Sequence, residues 1–172
     1  MKGMIRTVLL TGLLAVGLPA VAQPEAQTSL QLDADMEAFE DQELSLGPVT
    51  VVASYRPIDF EADIQEDNLQ LDLYYQGQLQ ESVTDTAHMF GSVDLEDLDS
   101  DGNPEVVLQT YTGGAHCCMA ITTYTWQNDQ FQSIVFDYLD AGGGIFEDLD
   151  DDGLTEFVTL DNAFFYTFSS YA

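Results

Sequence analysis

Two segments of the chain place acidic side chains in a pattern suited to a hard cation. "LEDLDSDGNPEVV" at 95–107 and "FEDLDDDGLTEFV" at 146–158 align without gaps at an offset of 51, with 8 identities in 13 positions. Each copy reads D-x-D-x-D-G-x-x-E: Asp97, Asp99, Asp101, Gly102 and Glu105 in the first, Asp148, Asp150, Asp152, Gly153 and Glu156 in the second. Calcium takes about six to eight oxygen ligands, and a tight loop with carboxylates at positions 1, 3 and 5 points three of them inward. The glycine at position 6 permits the sharp turn. A backbone carbonyl at position 7, from Asn103 or Leu154, can add an oxygen, and the acid at position 9 closes the shell. Magnesium, which keeps several waters, suits so many protein oxygens less well. Without a cation, two carboxylates ~5 Å apart repel by roughly 3 kcal/mol at an effective dielectric of 20. The plainer reading is a pair of solvated acidic turns, which Asp and Gly favour anyway; two copies in register favour the metal.

A second candidate is "GGAHCC" at 113–118, which holds both cysteines of the chain and one of its two histidines. Adjacent Cα atoms lie ~3.8 Å apart, below the usual disulfide range, so a bond between Cys117 and Cys118 needs a distorted turn. Four readings stay open: such a vicinal disulfide, buried or unpaired thiols, bonds to a partner, and a transition-metal or redox centre using His116, Cys117 and Cys118. The last lacks a third ligand nearby, because such sites take three or four protein ligands. His88, beside Met89, is the other imidazole and would have to arrive by folding.

The elements that must position these residues read as strands. From Pro48 onward, short runs rich in Val, Thr, Tyr and Phe alternate with Gly, Asn and Asp turns. Strands are expected at Val49–Tyr55, around Leu69, Leu71 and Leu73, at 78–84 after a turn at Gln76 and Gly77, and at 105–112, 118–126, 131–139 and 156–160, with the aromatic run "FFYTF" following. No helix is expected after residue 50. If 105–112 leaves the first acidic loop as a strand, its far end is roughly 25 Å from the metal at ~3.3 Å per residue. The glycine turns "GG" at 113–114 and "AGGG" at 141–144 therefore form an opposite rim, out of reach of the calcium.

With loops and strands together, "DLDSDGNPEVVLQTYTGG" and "AITTYTWQNDQFQSIVFDYL" resemble the FG-GAP or VCBS repeat, the blade unit of integrin-alpha-like β-propellers. The resemblance covers about 90–160 and implies calcium held in a hairpin between the first two strands of a blade. The metal would be structural and the surface a binding or adhesive one. One departure is Glu105 or Glu156 where Asp is commoner. Tyr75 and Trp126 share the repeat offset of 51, which hints at an earlier, degenerate unit. A closed propeller needs at least about four blades, so the expected fold is all-β, with antiparallel strands in propeller-blade-like units, two calcium loops and an incomplete or partial propeller. The strands could stand alone, assemble from several chains into a ring, or belong to a longer protein.

Residues 1–22 carry Lys2 and Arg6, an apolar run, and a small-x-small ending at Ala22, the pattern of a secretory signal peptide. Residues 23–47 read as an acidic leader, flexible or with a short helix near 33–45, and 48–172 as an all-β repeat domain. After signal cleavage, Arg56 stands alone against all 31 acids, a formal charge of about −30. Such a surface excludes nucleic acid and anionic lipid, which need cations the chain lacks. No later segment is long and apolar enough for membrane insertion, so a secreted or periplasmic location is expected. The motifs of serine hydrolases, P-loop proteins and zincins are missing. The reading is thus a calcium-binding module with an unknown protein or glycan ligand, not an enzyme, whose sheet edges invite self-association. Its alternatives are a thiol- or transition-metal redox protein centred on the His-Cys-Cys stretch and a salt-adapted hydrolase.

Overall fold

The computed structural model describes residues 26–59, 67–114, 118–136, 139 and 143–160. The expected signal peptide, His116, Cys117 and the "FFYTF" run lie outside the described residues. Within them the chain is all-β, with antiparallel strands in three sheets. The four-stranded sheet is a meander of β2 (Phe39–Leu46), β3 (Val49–Tyr55), β4 (Leu69–Tyr75) and β5 (Gln78–Asp85). In the five-stranded sheet, β6 (Phe90–Glu96), β7 (Glu105–Tyr111), β8 (Met119–Gln127) and β9 (Gln130–Val135) form a second meander, and β1 (Ser29–Asp33) adds beside β6. A two-stranded sheet pairs β10 (Gly144–Glu147) with β11 (Glu156–Thr159). No sheet closes into a ring among the described residues.

Alternation drives the central strands. Val49, Val51, Ala53 and Tyr55 of β3 point to one face and meet Leu69, Leu71 and Leu73 of β4, all essentially inaccessible to water. The same core takes in Leu30 and Leu32 of β1, Val93 and Leu95 of β6, Val106 and Leu108 of β7, and Tyr124 and Phe131, so the two larger sheets share one apolar interior. Two-residue turns join β4 to β5 and β8 to β9: Gln76 and Gly77, then Asn128 and Asp129, all have positive φ, as twist-matched hairpin turns require. The first turn falls where the sequence places it, and the second lies between the strands expected at 118–126 and 131–139.

The described part of 23–47, from residue 26 on, differs from expectation. Instead of a helix or flexible leader, 29–33 and 39–46 form strands, and β1 pairs with β6 across the intervening meander, Leu30 opposite Val93 and Leu32 opposite Gly91. The spacing of Leu32, Met36 and Phe39 imitates a helical face because a turn separates the strands and because β2 carries a bulge between Phe39 and Gln42 that breaks the period of two. The strand expected at 131–139 stops at Val135, although Leu139 still bridges to Met119.

The hairpin β10–β11 docks through aromatic rings. Phe136, just past β9, packs on Phe157 at 4.6 Å and Phe146 at 6.0 Å between ring centres. Gly144 allows this approach, because a Cβ there would meet Phe157 at 2.4 Å. Among the described residues no helix is long and apolar enough to cross a membrane.

Candidate metal centre

The two acidic segments are the connections between β6 and β7 and between β10 and β11, and they fold alike. Positions 4 and 6 of each are left-handed: Ser100 at φ 57° and Gly102 at 87°, Asp151 at 61° and Gly153 at 88°. The first Asp organises each turn. Asp97 accepts from the amides of Asp101 and Gly102, both at 3.1 Å, and Asp148 from those of Asp152 at 3.2 Å and Gly153 at 2.9 Å. The fifth position accepts from the seventh, Asn103 N to Asp101 at 2.7 Å and Leu154 N to Asp152 at 2.9 Å. The ninth accepts from the second, Leu98 N to Glu105 at 2.9 Å and Leu149 N to Glu156 at 2.8 Å. Backbone amides thus aim the carboxylates of positions 1, 5 and 9 in both loops; the copies differ at position 3, where Asp99 accepts from Asp101 N at 3.2 Å.

The copies converge different sets of oxygens. In the first loop Asp97, Asp99 and Asp101, all exposed, bring carboxylate oxygens within 4.8 Å of one another; in the second Asp148, Asp150 and the half-buried Glu156 do so. Either all-oxygen donor set suits calcium or another hard divalent ion. Glu105 stays out of the first cluster because it is committed elsewhere. It is buried, and its second oxygen accepts from Thr125 Oγ1 of β8 at 2.8 Å. Burial pushes its pKa up, the bonds from Leu98 N and Thr125 pull it back, and Asp99 adds to the rise. Asn103 is held too, its Oδ1 accepting from the Tyr75 hydroxyl at 2.8 Å. Asp152 and the largely exposed Leu154 lie outside the second cluster of side-chain oxygens.

Three residues that hold these loops were not singled out as site residues in the sequence. Thr125 anchors Glu105, and Ser100 ties the copies together by donating to Gly153 O at 2.6 Å, beside a backbone bond from Thr155 N to Leu98 O at 2.8 Å. The loops are therefore neighbours, with a cleft of about 370 Å³ between them lined by Leu95, Glu96, Asp97, Phe146 and Asp148 among others. The third residue, Tyr75, stacks on Trp126 at 4.1 Å and 11°, joining the two larger sheets. The signal for that contact was the shared repeat offset of these two rings.

Of the His-Cys-Cys stretch only Cys118 is among the described residues, beside the glycine rim at the far end of β7. His88 N donates to Tyr111 O at 3.1 Å, and a Cβ on Gly113 would come within 2.9 Å of the His88 ring, so this imidazole does sit on the glycine rim. Tyr111 OH donates to Gly114 O there, and Cys118 N to Thr112 Oγ1 at 3.0 Å. Cys118 is disulfide-bonded. Of the four readings this removes a free thiol or thiolate ligand at Cys118.

No family model matches the chain, and no solved structure matches it. Among curated proteins it is similar to a "Probable thylakoid lumen protein" of Synechocystis sp., 44% identical over 81 residues, 45% of this chain and 24% of that protein. An uncharacterized protein of Sinorhizobium fredii is 37% identical over 68 residues, 40% of this chain and 11% of that protein. The chain thus matches a quarter or less of the length of these relatives.

Proposed function

We propose that the chain is an exported calcium-binding β-repeat module of the FG-GAP or VCBS kind, with a binding, adhesive or structural role and no catalytic one. The observation that carries this is the pair of acidic loops with matching left-handed positions and backbone hydrogen bonds, each with an all-oxygen donor cluster within 4.8 Å. The ligands in this reading are Asp97, Asp99, Asp101, Asn103 and Glu105, then Asp148, Asp150, Asp152, Leu154 and Glu156, with Asn103 and Leu154 contributing backbone carbonyls. Glu105 would leave its Thr125 contact or act through a neighbouring water. The two meanders, each of four antiparallel strands, and the hairpin that restarts the pattern suit three successive blade units of a partial propeller, the third represented by β10–β11. The name of the Synechocystis relative, which puts that protein in a lumen beyond a membrane, supports export of this one.

Calcium then acts by mass action on the native state and by neutralising the crowded carboxylates. The test is thermal melting of the chain with calcium and with chelator: the reading requires a large calcium-dependent rise that Asp99→Ala and Asp150→Ala together abolish, and equal melts would overturn it.

A further inference from the structure

A second concave site lies at the opposite end of the four-stranded sheet from the Tyr75–Asn103 contact. It has a volume of about 420 Å³, within the range of small-molecule sites, about 300–1,000 Å³. Its walls are built from irregular backbone. The bulge in β2 turns out Glu40 and Asp41, and Asp41 is left-handed at φ 58°, its amide donating to Ser54 Oγ at 3.1 Å. Facing it, Asp67 is also left-handed at φ 58°, its amide donating to Thr86 Oγ1 at 3.0 Å and its carboxylate accepting from Thr84 Oγ1 at 3.2 Å. Each such residue costs on the order of 1 kcal/mol, and strain of this kind gathers at ligand sites. Buried Asn68 fixes the floor, donating to Arg56 O at 2.9 Å and Ala87 O at 3.0 Å and accepting from Ala87 N at 2.8 Å.

Into this frame projects Arg56, the single lysine or arginine between positions 7 and 172. Its ion pair with Glu40 is 3.5 Å long with side chains 75% and 77% exposed. A pair of that kind contributes about 0–1 kcal/mol, so fold stability is a weak reason for the one lysine or arginine after residue 6 to stand here. The cavity offers guanidinium donors from Arg56, carboxylate acceptors from Glu40, Asp41 and Asp67, the amide of Gln70, which both donates and accepts, and the half-buried ring of Phe39. An anion meets three carboxylates and a net charge of −28. A cation meets Arg56. A neutral polyhydroxylated ring satisfies both signs, since each hydroxyl donates and accepts, and its C–H face can lie on an aromatic ring.

We propose that this cavity binds a neutral saccharide, with Arg56, Asp41, Asp67 and Gln70 hydrogen-bonding its hydroxyls and Phe39 supporting its ring. The cavity shares no residue with the acidic loops, so this binding stands apart from the metal reading. The experiment uses ¹⁵N-labelled full chain, in calcium and in chelator, titrated into the millimolar range with glucose, galactose, mannose and N-acetylglucosamine and their disaccharides. At least one saccharide is expected to shift the Arg56 Nε–H and Gln70 side-chain signals, with an affinity that holds up to about 1 M NaCl because no ion pair is formed. Arg6 and Arg56 are the two arginines of the chain, so Arg56→Lys assigns the signal. Arg56→Ala, at an exposed position, keeps the fold and should weaken binding at least about tenfold. Absence of saccharide shifts at these groups, unchanged affinity in Arg56→Ala, or shifts produced by glycylglycine or sulfate in place of the sugars would overturn the proposal. Failure of the metal reading would show instead as melts indifferent to calcium, with the Arg56 response intact.

Discussion

Replacing Asp150 by Ala should change the stability of this protein in opposite directions with and without calcium. Asp150 sits in a cluster where oxygens of Asp148, Asp150 and Glu156 lie within 4.8 Å of one another. At that distance each pair of charges repels by about 1 kcal/mol in water and about 3.5 kcal/mol at an effective dielectric of 20. The Asp residues are exposed and the low end applies to them. Removing Asp150 deletes two of the three repulsions, so in chelator Asp150→Ala should stabilise the chain by about 1–2 kcal/mol. Calcium at about a hundred times its Kd stabilises by about 2.7 kcal/mol per site. Two sites then give about 5 kcal/mol, or roughly 10–20 °C in Tm at this chain length. In calcium the variant forfeits one site's ~2.7 kcal/mol but keeps the relief of about 1–2 kcal/mol, so it should melt roughly 1–7 °C below the parent. The assay is circular dichroism melting at fixed ionic strength with calcium, magnesium or chelator. Asp150→Ala destabilised in chelator, or a sodium chloride control reproducing the calcium shift, would refute the reasoning, because simple screening needs no ligand geometry.

Other outcomes follow from single contacts. Burial pushes the Tyr124 phenol up to about 12, with Asp85 and Glu81 adding to the rise; stability due to it is complete below pH 10 and lost as pH climbs through 12, by up to about 2.7 kcal/mol. Urea midpoints across that window should fall less for Tyr124→Phe, and tyrosinate absorbance should show at least one tyrosine, Tyr124, titrating late, since burial also raises Tyr55. Tyr75→Phe removes the bond to Asn103 while keeping the stack on Trp126, the one tryptophan, so a loss of about 1 kcal/mol and a weaker calcium response of tryptophan fluorescence are expected. Gly91→Ala would set a Cβ 2.5 Å from Gln109 O, a backbone atom that cannot swing away; a loss of about 1–3 kcal/mol in denaturant melts is expected, and an unchanged midpoint would count against this packing.

The short-range content of the fold was legible because it follows local rules. Alternation marks β3 and β4, positive-φ dipeptides mark their turn and that of β8–β9, and the D-x-D-x-D-G-x-x-E spacing announces two loops that adopt one backbone shape. What local rules miss is partner choice. Leu30 and Leu32 are too few to declare β1, whose burial depends on Val93 and Gly91 some sixty residues on. The bulge that hides β2 is also what shapes the saccharide cavity, so the irregularity that defeated periodicity is where the chemistry gathers.

By itself the sequence determined the all-β class, the acidity, and the carboxylates and glycines of both loops, since ligand type and turn chemistry depend on residues within ten positions of each other. Tertiary structure alone decided that the loops touch through Ser100 and Gly153, that Thr125 draws Glu105 away from its own cluster, and that Tyr75 of one sheet holds Asn103 of the other. Two loops of the same pattern therefore present different oxygens. Each side chain answers to whichever donor the packed sheets bring within about 3 Å, and a linear pattern contains no record of that neighbour.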